Sequence, residues 1–488
     1  MAIDMKSHQI GHLRAALANL KSIRIEGQPP HGVDSLSEII DRHGLVEASI
    51  DVVNSTATGF TSDGVKAIAA LARSFRDPQS QLSHQASNPT LSKFIASEIM
   101  RRWRLSDVAK IETSELHQLG PSVETWFARL NQVKQHVVPC ILFLHRVAPI
   151  KIGPVRLFHA YDFPTEEFGI TRKEFWPSLD ESETVADGAA RPGGFHFERL
   201  LEIASRRDAT WLTIVDVPGR ADPESQRSAD TAVDIALGVI QLICPGKDMR
   251  RIARTTGRSA ATYRADVYRS PDGMNTPISN HTPALARSPE TIEQHFQEAG
   301  PALELMGRRL EGFLGATSEL PNLNAAWCNA VYWYHQALAE DLDTVAAVKL
   351  ETAIEVLFSS ENNKGSTSRM LQGIEGMLGL DKDHQIDPGT TVTVKHVVAA
   401  ISTARSRVLH GTWPTLHNDL PACGDSFSLG VGDIELIARN LLLRYPIYLE
   451  AYQANGKVDD QAKPFLDWIV SERRLAAPLA HSEHIDQP

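Results

Sequence analysis

Residues 392–411 read VTVKHVVAAISTARSRVLHG, and the rest of the chain is best read outward from them. Val394, Val397, Val398, Ile401, Ala404 and Val408 fall at helical spacing, which predicts one buried stripe. Gly411 follows the pattern directly and suits a helix C-terminus. Arg405 comes four residues after Ile401 and seven after Val398, so it lies on or beside the stripe, where leucine would be expected. A guanidinium on the inner side of a helix is costly unless it is paired or solvated. An acidic side chain, a water-filled cleft or a phosphate should therefore meet it. His410 follows five residues later, in the last turn.

At 488 residues the chain exceeds one ordinary core, and two or three domains are expected. Its 42% hydrophobic and 22% charged content is that of a globular protein. No apolar run approaches membrane-spanning length, and the N-terminus lacks the apolar core of a signal peptide, so a cytoplasmic protein with no membrane partner is expected. Cys140, Cys244, Cys328 and Cys423 are far apart, which points to free buried thiols rather than a disulfide frame or zinc site. A net charge of −11 argues against charge-driven coating of nucleic acid. Between 322 and 454 there are nine Lys/Arg against fifteen Asp/Glu, so any positive potential there must be local.

The organisation expected is an α+β multidomain chain. Residues 1–130 read as mostly helical, with helices over 8–26 and 91–103 and a candidate capping box at Ser35 and Glu38. The basic end of 91–103 (Arg101, Arg102, Arg104) suits a helix C-terminus by its dipole alone. Residues 131–285 read as an α+β domain with a sensing or recognition role. Within it, ATWLTIVDV (209–217) has the pattern of a buried strand and 224–243 that of a long helix; 178–194 reads as a mobile insertion. Linking helices occupy 286–320. An all-helical domain fills 321–474, with helices near 323–339, 343–358, 367–378, 392–410 and 432–454, and a disordered tail is expected over 475–488.

Arg-x4-His followed by glycine, late in an amphipathic helix, resembles the HEPN ribonuclease motif. Upstream stand VAAVKLETAIEVLFSS and then STSRMLQGIEGML, so Ala-Ile-Glu, a polar loop, a helix opening with Ser-Arg and finally the Arg-x4-His helix come in order. That order resembles the Apea-like HEPN subgroup and covers roughly 320–455. Many members carry Asn, Asp or His directly after the arginine; here it is Ser406. The resemblance implies a helical bundle, a homodimer with its cleft between protomers, and a metal-independent endoribonuclease among toxin and anti-phage effectors. Its products would carry 2′,3′-cyclic phosphate ends, and it would need no metal or cofactor. Two side chains per protomer suit the chemistry. Arginine stays cationic and grips two phosphate oxygens, and histidine titrates near neutrality and moves protons. Arg405 is assigned to phosphate stabilisation and His410 to proton transfer, with Ser406 and Arg407 in support. Arg369 is expected to be a structural cation opposite a carboxylate such as Glu355. The N-terminal two-thirds would respond to a protein or phage-derived trigger. The alternatives are an internal pairing of Arg405 with Glu351 or Glu355, and a non-catalytic HEPN dimerisation or adaptor protein.

Residues 247–269, KDMRRIARTTGRSAATYRADVYR, carry seven cations against Asp248 and Asp266, with Tyr263 and Tyr268 interleaved. Arg250, Arg251, Arg254 and Arg258 are candidate RNA-binding residues on that pattern, and the alternative is a basic face paired with acidic neighbours. The sequence holds no P-loop, no Gly-x-Gly-x-x-Gly after a strand and no His-Glu-x-x-His.

Overall fold

A computed structural model describes residues 5–24, 40–46, 50–53, 56–76, 85–104, 106, 110–175, 194–257, 263–358, 366–386, 391–412 and 430–482. Ser35, Glu38, Arg258, Cys423, the insertion 178–193 and most of the expected loops at 361–366 and 411–430 lie outside them. The chain divides into two compact units, Met1–Lys134 with Val217–Arg227, and Gln135–Asp216 with Ser228–Pro488. The segments 131–285, 286–320 and 321–474 thus fall almost wholly within the second unit. No described helix is long and apolar enough to cross a membrane.

In the first unit, helices α1 (Ser7–Ala18), α2 (Ser62–Phe75), α3 (Asn88–Trp103), α4 (Thr113–His117) and α5 (Leu119–Leu130) share one apolar core. A small antiparallel sheet, ordered β1 (Leu20–Arg24), β3 (Thr56–Phe60), β2 (Asp51–Val53), accompanies them. This corrects the helix read over 8–26. The helix ends at Asn19, whose side-chain amide donates back to the Ala15 carbonyl. The next five residues pair with β3, Leu20 opposite Phe60 and Arg24 opposite Thr56. A partner 36 residues away settles that strand, and no local periodicity announces it.

The second unit is built on a five-stranded sheet ordered β5 (Ile150–Ile152), β6 (Val155–His159), β7 (Trp211–Val217), β4 (Lys134–Ile141), β8 (Ala253–Arg254). β7 is buried nearly throughout, as its apolar run predicts. Leu212 and Ile214 join an aromatic cluster of Phe163, Phe168, Phe175 and Phe197, which the short helices α6 (Arg172–Phe175) and α7 (Gly194–Ser205) help to supply. A ribbon of β9 to β12 follows β8, with β9 (Tyr263–Ala265) paired to β12 (Ile278–Asn280) and β10 (Tyr268–Ser270) to β11 (Gly273–Asn275).

Between these strands runs α8 (Asp222–Ile243), buried on every side from Ala232 onward. Helices α9 (Pro289–Glu298) and α10 (Gly300–Gly315) lead to α11 (Pro321–Leu338), α12 (Asp343–Leu357), α13 (Ser366–Leu378), α14 (Val394–Leu409), α15 (Val431–Ala454) and α16 (Ala462–Ser482). Of the tail expected to be disordered over 475–488, residues 475–482 continue α16, and 483–488 lie outside the described residues. The Trp327 indole on α11 donates to the Leu442 carbonyl on α15 at 2.9 Å, a buried cross-tie within the helical segment. Cys140, Cys244 and Cys328 are free and buried, and burial pushes the Cys140 thiol up to about 12 and that of Cys244 to about 11.

α8 and α11 approach through Gly238. A Cβ there would lie 2.7 Å from Val331 Cγ1 and 3.0 Å from the Val331 carbonyl oxygen. Gly238→Ala gains about 1 kcal/mol of helix propensity. Overpacking against a backbone carbonyl that cannot yield costs about 1–3 kcal/mol. The expected result is a net loss in urea denaturation, and a stabilised variant would show that the two helices can separate freely.

Candidate active site

α14 carries the stripe read from the sequence. Val394, Val397, Val398, Ala400, Ile401 and Ala404 are buried, and Val408 is half-buried. Its C-terminus closes as a Schellman motif. The Gly411 amide donates to the Val408 carbonyl at 3.1 Å, and the Thr412 amide to the Arg407 carbonyl at 2.9 Å. Gly411 has φ +67°, the left-handed region that glycine enters at no steric cost. His410 is the cap residue of this ending, and its amide donates to the Ser406 carbonyl at 3.0 Å. Ser406, Arg407 and His410 are all exposed.

Arg405 meets two carboxylates. Glu351 and Glu355 stand four residues apart on α12 and therefore share one helix face. Arg405 Nε lies 3.2 Å from Glu351 Oε2, and Nη1 donates to Glu355 Oε2 at 2.5 Å and to Glu351 Oε1 at 3.4 Å. Nη2 makes no hydrogen bond among the described residues. The Arg405 side chain keeps 32% of its surface open, whereas that of Glu351 keeps 2%. Glu355 Oε1 also accepts from the Ser366 hydroxyl at 2.6 Å, which ties the start of α13 to the same cluster. Arg369 Nη1 donates to the Phe358 carbonyl at 3.3 Å.

Burial first, and then the neighbouring Glu355 charge, pushes the Glu351 carboxyl up to about 8 against the opposing pull of Arg405. Near neutrality Glu351 therefore holds its proton. The cluster then reduces to one guanidinium, one carboxylate and one neutral acid. Arg405 is thus fixed in place and locally compensated.

The basic stretch behaves differently. Arg250 pairs with Glu435 of α15, and Arg251 lies 3.9 Å from Asp341. Arg254 places Nε 2.9 Å from Asp234 and Nη1 3.3 Å from Asp230. These three arginines are engaged internally. Glu435 and Asp234, their main partners, were not singled out in the sequence. Asp234 was detectable, since it interrupts the apolar run AVDIALGVIQLI and a buried carboxylate requires a cation. Ser366 had no such signal. Among the described residues no group of three His, Cys, Asp or Glu side chains could hold a metal ion.

The raised Glu351 group carries a pH signature. Between the ordinary carboxylate range and about pH 8 the folded state binds a proton that the unfolded state has released, so this residue's contribution to stability falls as pH rises. Glu351→Gln is expected to gain on the wild type by more than about 1 kcal/mol between about pH 5 and pH 8. A constant gap in urea denaturation across that range would show that Glu351 is ionised throughout. Compared with protein-family models, with curated proteins and with solved structures, the chain matches none, so the reading of this site rests on its own geometry and chemistry.

Proposed function

We propose that the chain is a metal-independent endoribonuclease of the HEPN type, with Arg405 and His410 at its reacting centre. One observation carries this reading. Arg405 is held by Glu351 and Glu355 yet stays one-third open, and it precedes by five residues an exposed imidazole at a defined helix end. A guanidinium fixed in this way loses little freedom when it binds a phosphate oxygen, which is what stabilising a pentacoordinate phosphorane requires. An exposed histidine can take the 2′-hydroxyl proton or deliver one to the departing 5′-oxygen. Five residues of helix separate the two groups by about 7.5 Å along the axis and about 140° around it. One protomer therefore does not aim both at one phosphate. A second copy supplying its own pair completes the cleft, so the proposed enzyme is a homodimer.

Glu355 has a defined role in this mechanism. It offsets the Arg405 charge before RNA arrives and gives way as the phosphate takes over part of the guanidinium. Arg407, exposed on the last turn, adds positive charge beside His410. The products are a 2′,3′-cyclic phosphate and a 5′-hydroxyl. The trigger is a protein or phage-derived signal received by the remainder of the chain.

A second reading is a non-catalytic dimerisation module, and the pairing of Arg405 with Glu351 and Glu355 favours it. A labelled RNA incubated with the full chain in EDTA separates the two. The nuclease predicts cleavage that falls by about a hundredfold or more in His410→Ala and in Arg405→Ala. Equal cleavage by wild type and both variants overturns the site. A dimer that cleaves nothing, and in which Arg405→Ala lowers only the melting temperature, assigns the module instead.

A further inference from the structure

Within the first unit, α3 and α5 enclose a cleft of about 570 Å³. α3 contributes Phe94, Glu98, Arg101 and Arg102, and α5 contributes Ser122, Thr125, Trp126 and Arg129. On each helix these residues recur at three- and four-residue spacing, so each presents one continuous face to the cleft. The Phe94 and Trp126 rings stack with centroids 4.8 Å apart and planes 14° apart, and both side chains are only half-buried.

The charges are ordered as well. Glu98 is almost wholly buried and receives a two-pronged bond from Arg101, Nε at 2.9 Å and Nη2 at 2.7 Å. Arg102 donates from each of its three nitrogens, to Glu98, Gln118 and Ser122, at 2.6, 3.0 and 2.6 Å. Those hydrogen bonds from Arg101 and Arg102 hold the Glu98 carboxyl down at about 2, so it stays ionised and keeps both guanidiniums in place. Arg102 is thereby tied to the protein through all three of its nitrogens. Arg101 retains 65% of its side-chain surface, and exposed Arg129 has no ion pair or side-chain hydrogen bond among the described residues. Three guanidiniums face one carboxylate in the cleft. A second cavity of about 500 Å³ shares Arg101 and adds Lys93, Arg104 and Asp51.

We infer that this cleft binds a nucleotide, its base stacked on the Phe94–Trp126 pair and its phosphates on Arg101 and Arg129. The volume suits a ligand of that size. Arginine donors fit phosphate oxygens, and a half-buried aromatic pair beside them fits a flat base, the combination that single-strand and nucleotide sites use. Phe94 and Trp126 pack against the core on one side, and their open faces offer a flat base a surface that a simple anion would not use. The nucleotide can be free, or it can belong to a single-stranded oligonucleotide that continues past Arg101 toward Lys93 and Arg104. The inference is independent of the nuclease reading, since it uses none of the residues proposed for cleavage.

Calorimetry on the full chain tests it with ATP, adenosine, tripolyphosphate and a deoxyadenosine hexamer, which has no 2′-hydroxyl to cleave. ATP or the hexamer is expected to saturate one site per chain, with adenosine and tripolyphosphate each at least about tenfold weaker than ATP. Trp126→Ala and Arg129→Glu should each weaken ATP by about tenfold or more. Arg129 is exposed, so Arg129→Glu should melt as the wild type does and keeps the test valid even where Trp126→Ala misfolds. A hexamer that binds more tightly than ATP assigns the second cavity to an oligonucleotide, and equal affinities assign a free nucleotide; both outcomes support the site. Tripolyphosphate binding as tightly as ATP, no saturation by ATP or hexamer below about 1 mM, or an affinity unchanged by Arg129→Glu would overturn it.

Discussion

A buried carboxylate on a stretch of helix with no solvent-facing side sets the terms for the second unit. α8 is buried from Ala232 to Cys244 without interruption, and Asp234 lies within that run at 1% exposure. An ionised carboxylate there is tolerable only with a cation and further donors at hand. Arg254 supplies two contacts, at 2.9 and 3.3 Å, and Gln336 a third at 3.3 Å. His335, neutralised by burial, bonds Gln241 of the same helix at 2.9 Å. The donors come from β8 and α11, so one charge fixes sheet, central helix and helical segment against each other. Gly238 allows the approach that brings those donors within reach. This is why the strand-rich and helix-rich segments of the sequence form one compact unit.

From α11 the constraint passes to the candidate site. α12 packs beside α11 and brings Glu351 and Glu355 under α14. The pair faces a single guanidinium, and two full negative charges would leave the buried one poorly compensated. Protonation of Glu351 resolves that imbalance. The remaining ion pair, Arg405 with Glu355, is partly open to solvent, where such pairs contribute little to stability. Weak pairing is what a phosphate-binding arginine needs, because the substrate must be able to replace the internal partner.

The apolar period of α14, its glycine ending, the buried strand at 209–217 and the bounds of α11 to α15 to within two residues were legible in the sequence, since each is carried by residues within a few positions of one another. β1 was not, because its partner β3 lies far along the chain and Leu20 and Ile23, three residues apart, continue the helical spacing. Arginine roles were the hardest to read. The run from Lys247 to Arg269 has the composition of a phosphate track. Yet Arg250, Arg251 and Arg254 meet Glu435, Asp341 and Asp234, carboxylates that no local pattern connects to them. Arg101 and Arg102 were read only as a basic helix end, and Glu98, three and four residues before them, was not singled out. The aromatic partner Trp126 came from another helix and was not singled out either.

The arginines proposed to bind ligand differ from the most buried ones in how much of the guanidinium stays open, although Arg250, paired with Glu435, keeps 29% of its side-chain surface, a share close to that of Arg405. Arg254 keeps 16% of its side-chain surface and pairs with buried Asp234, and Arg309 keeps 9% and pairs with Glu450 at the surface. Arg405 keeps 32% and Arg101 65%, and each is gripped from one side by a buried glutamate. A carboxylate behind a guanidinium restricts its rotamers and so removes part of the entropy lost on binding. The same carboxylate neutralises it only partly when the outward edge still meets water. The two glutamates differ in the charge they hold. Glu98 is ionised under all ordinary conditions and anchors its arginines permanently. Glu351 is neutral at physiological pH and leaves Arg405 to Glu355. An anion approaching Arg405 would thus compete with one charged carboxylate, Glu355, rather than two, because burial keeps the proton on Glu351.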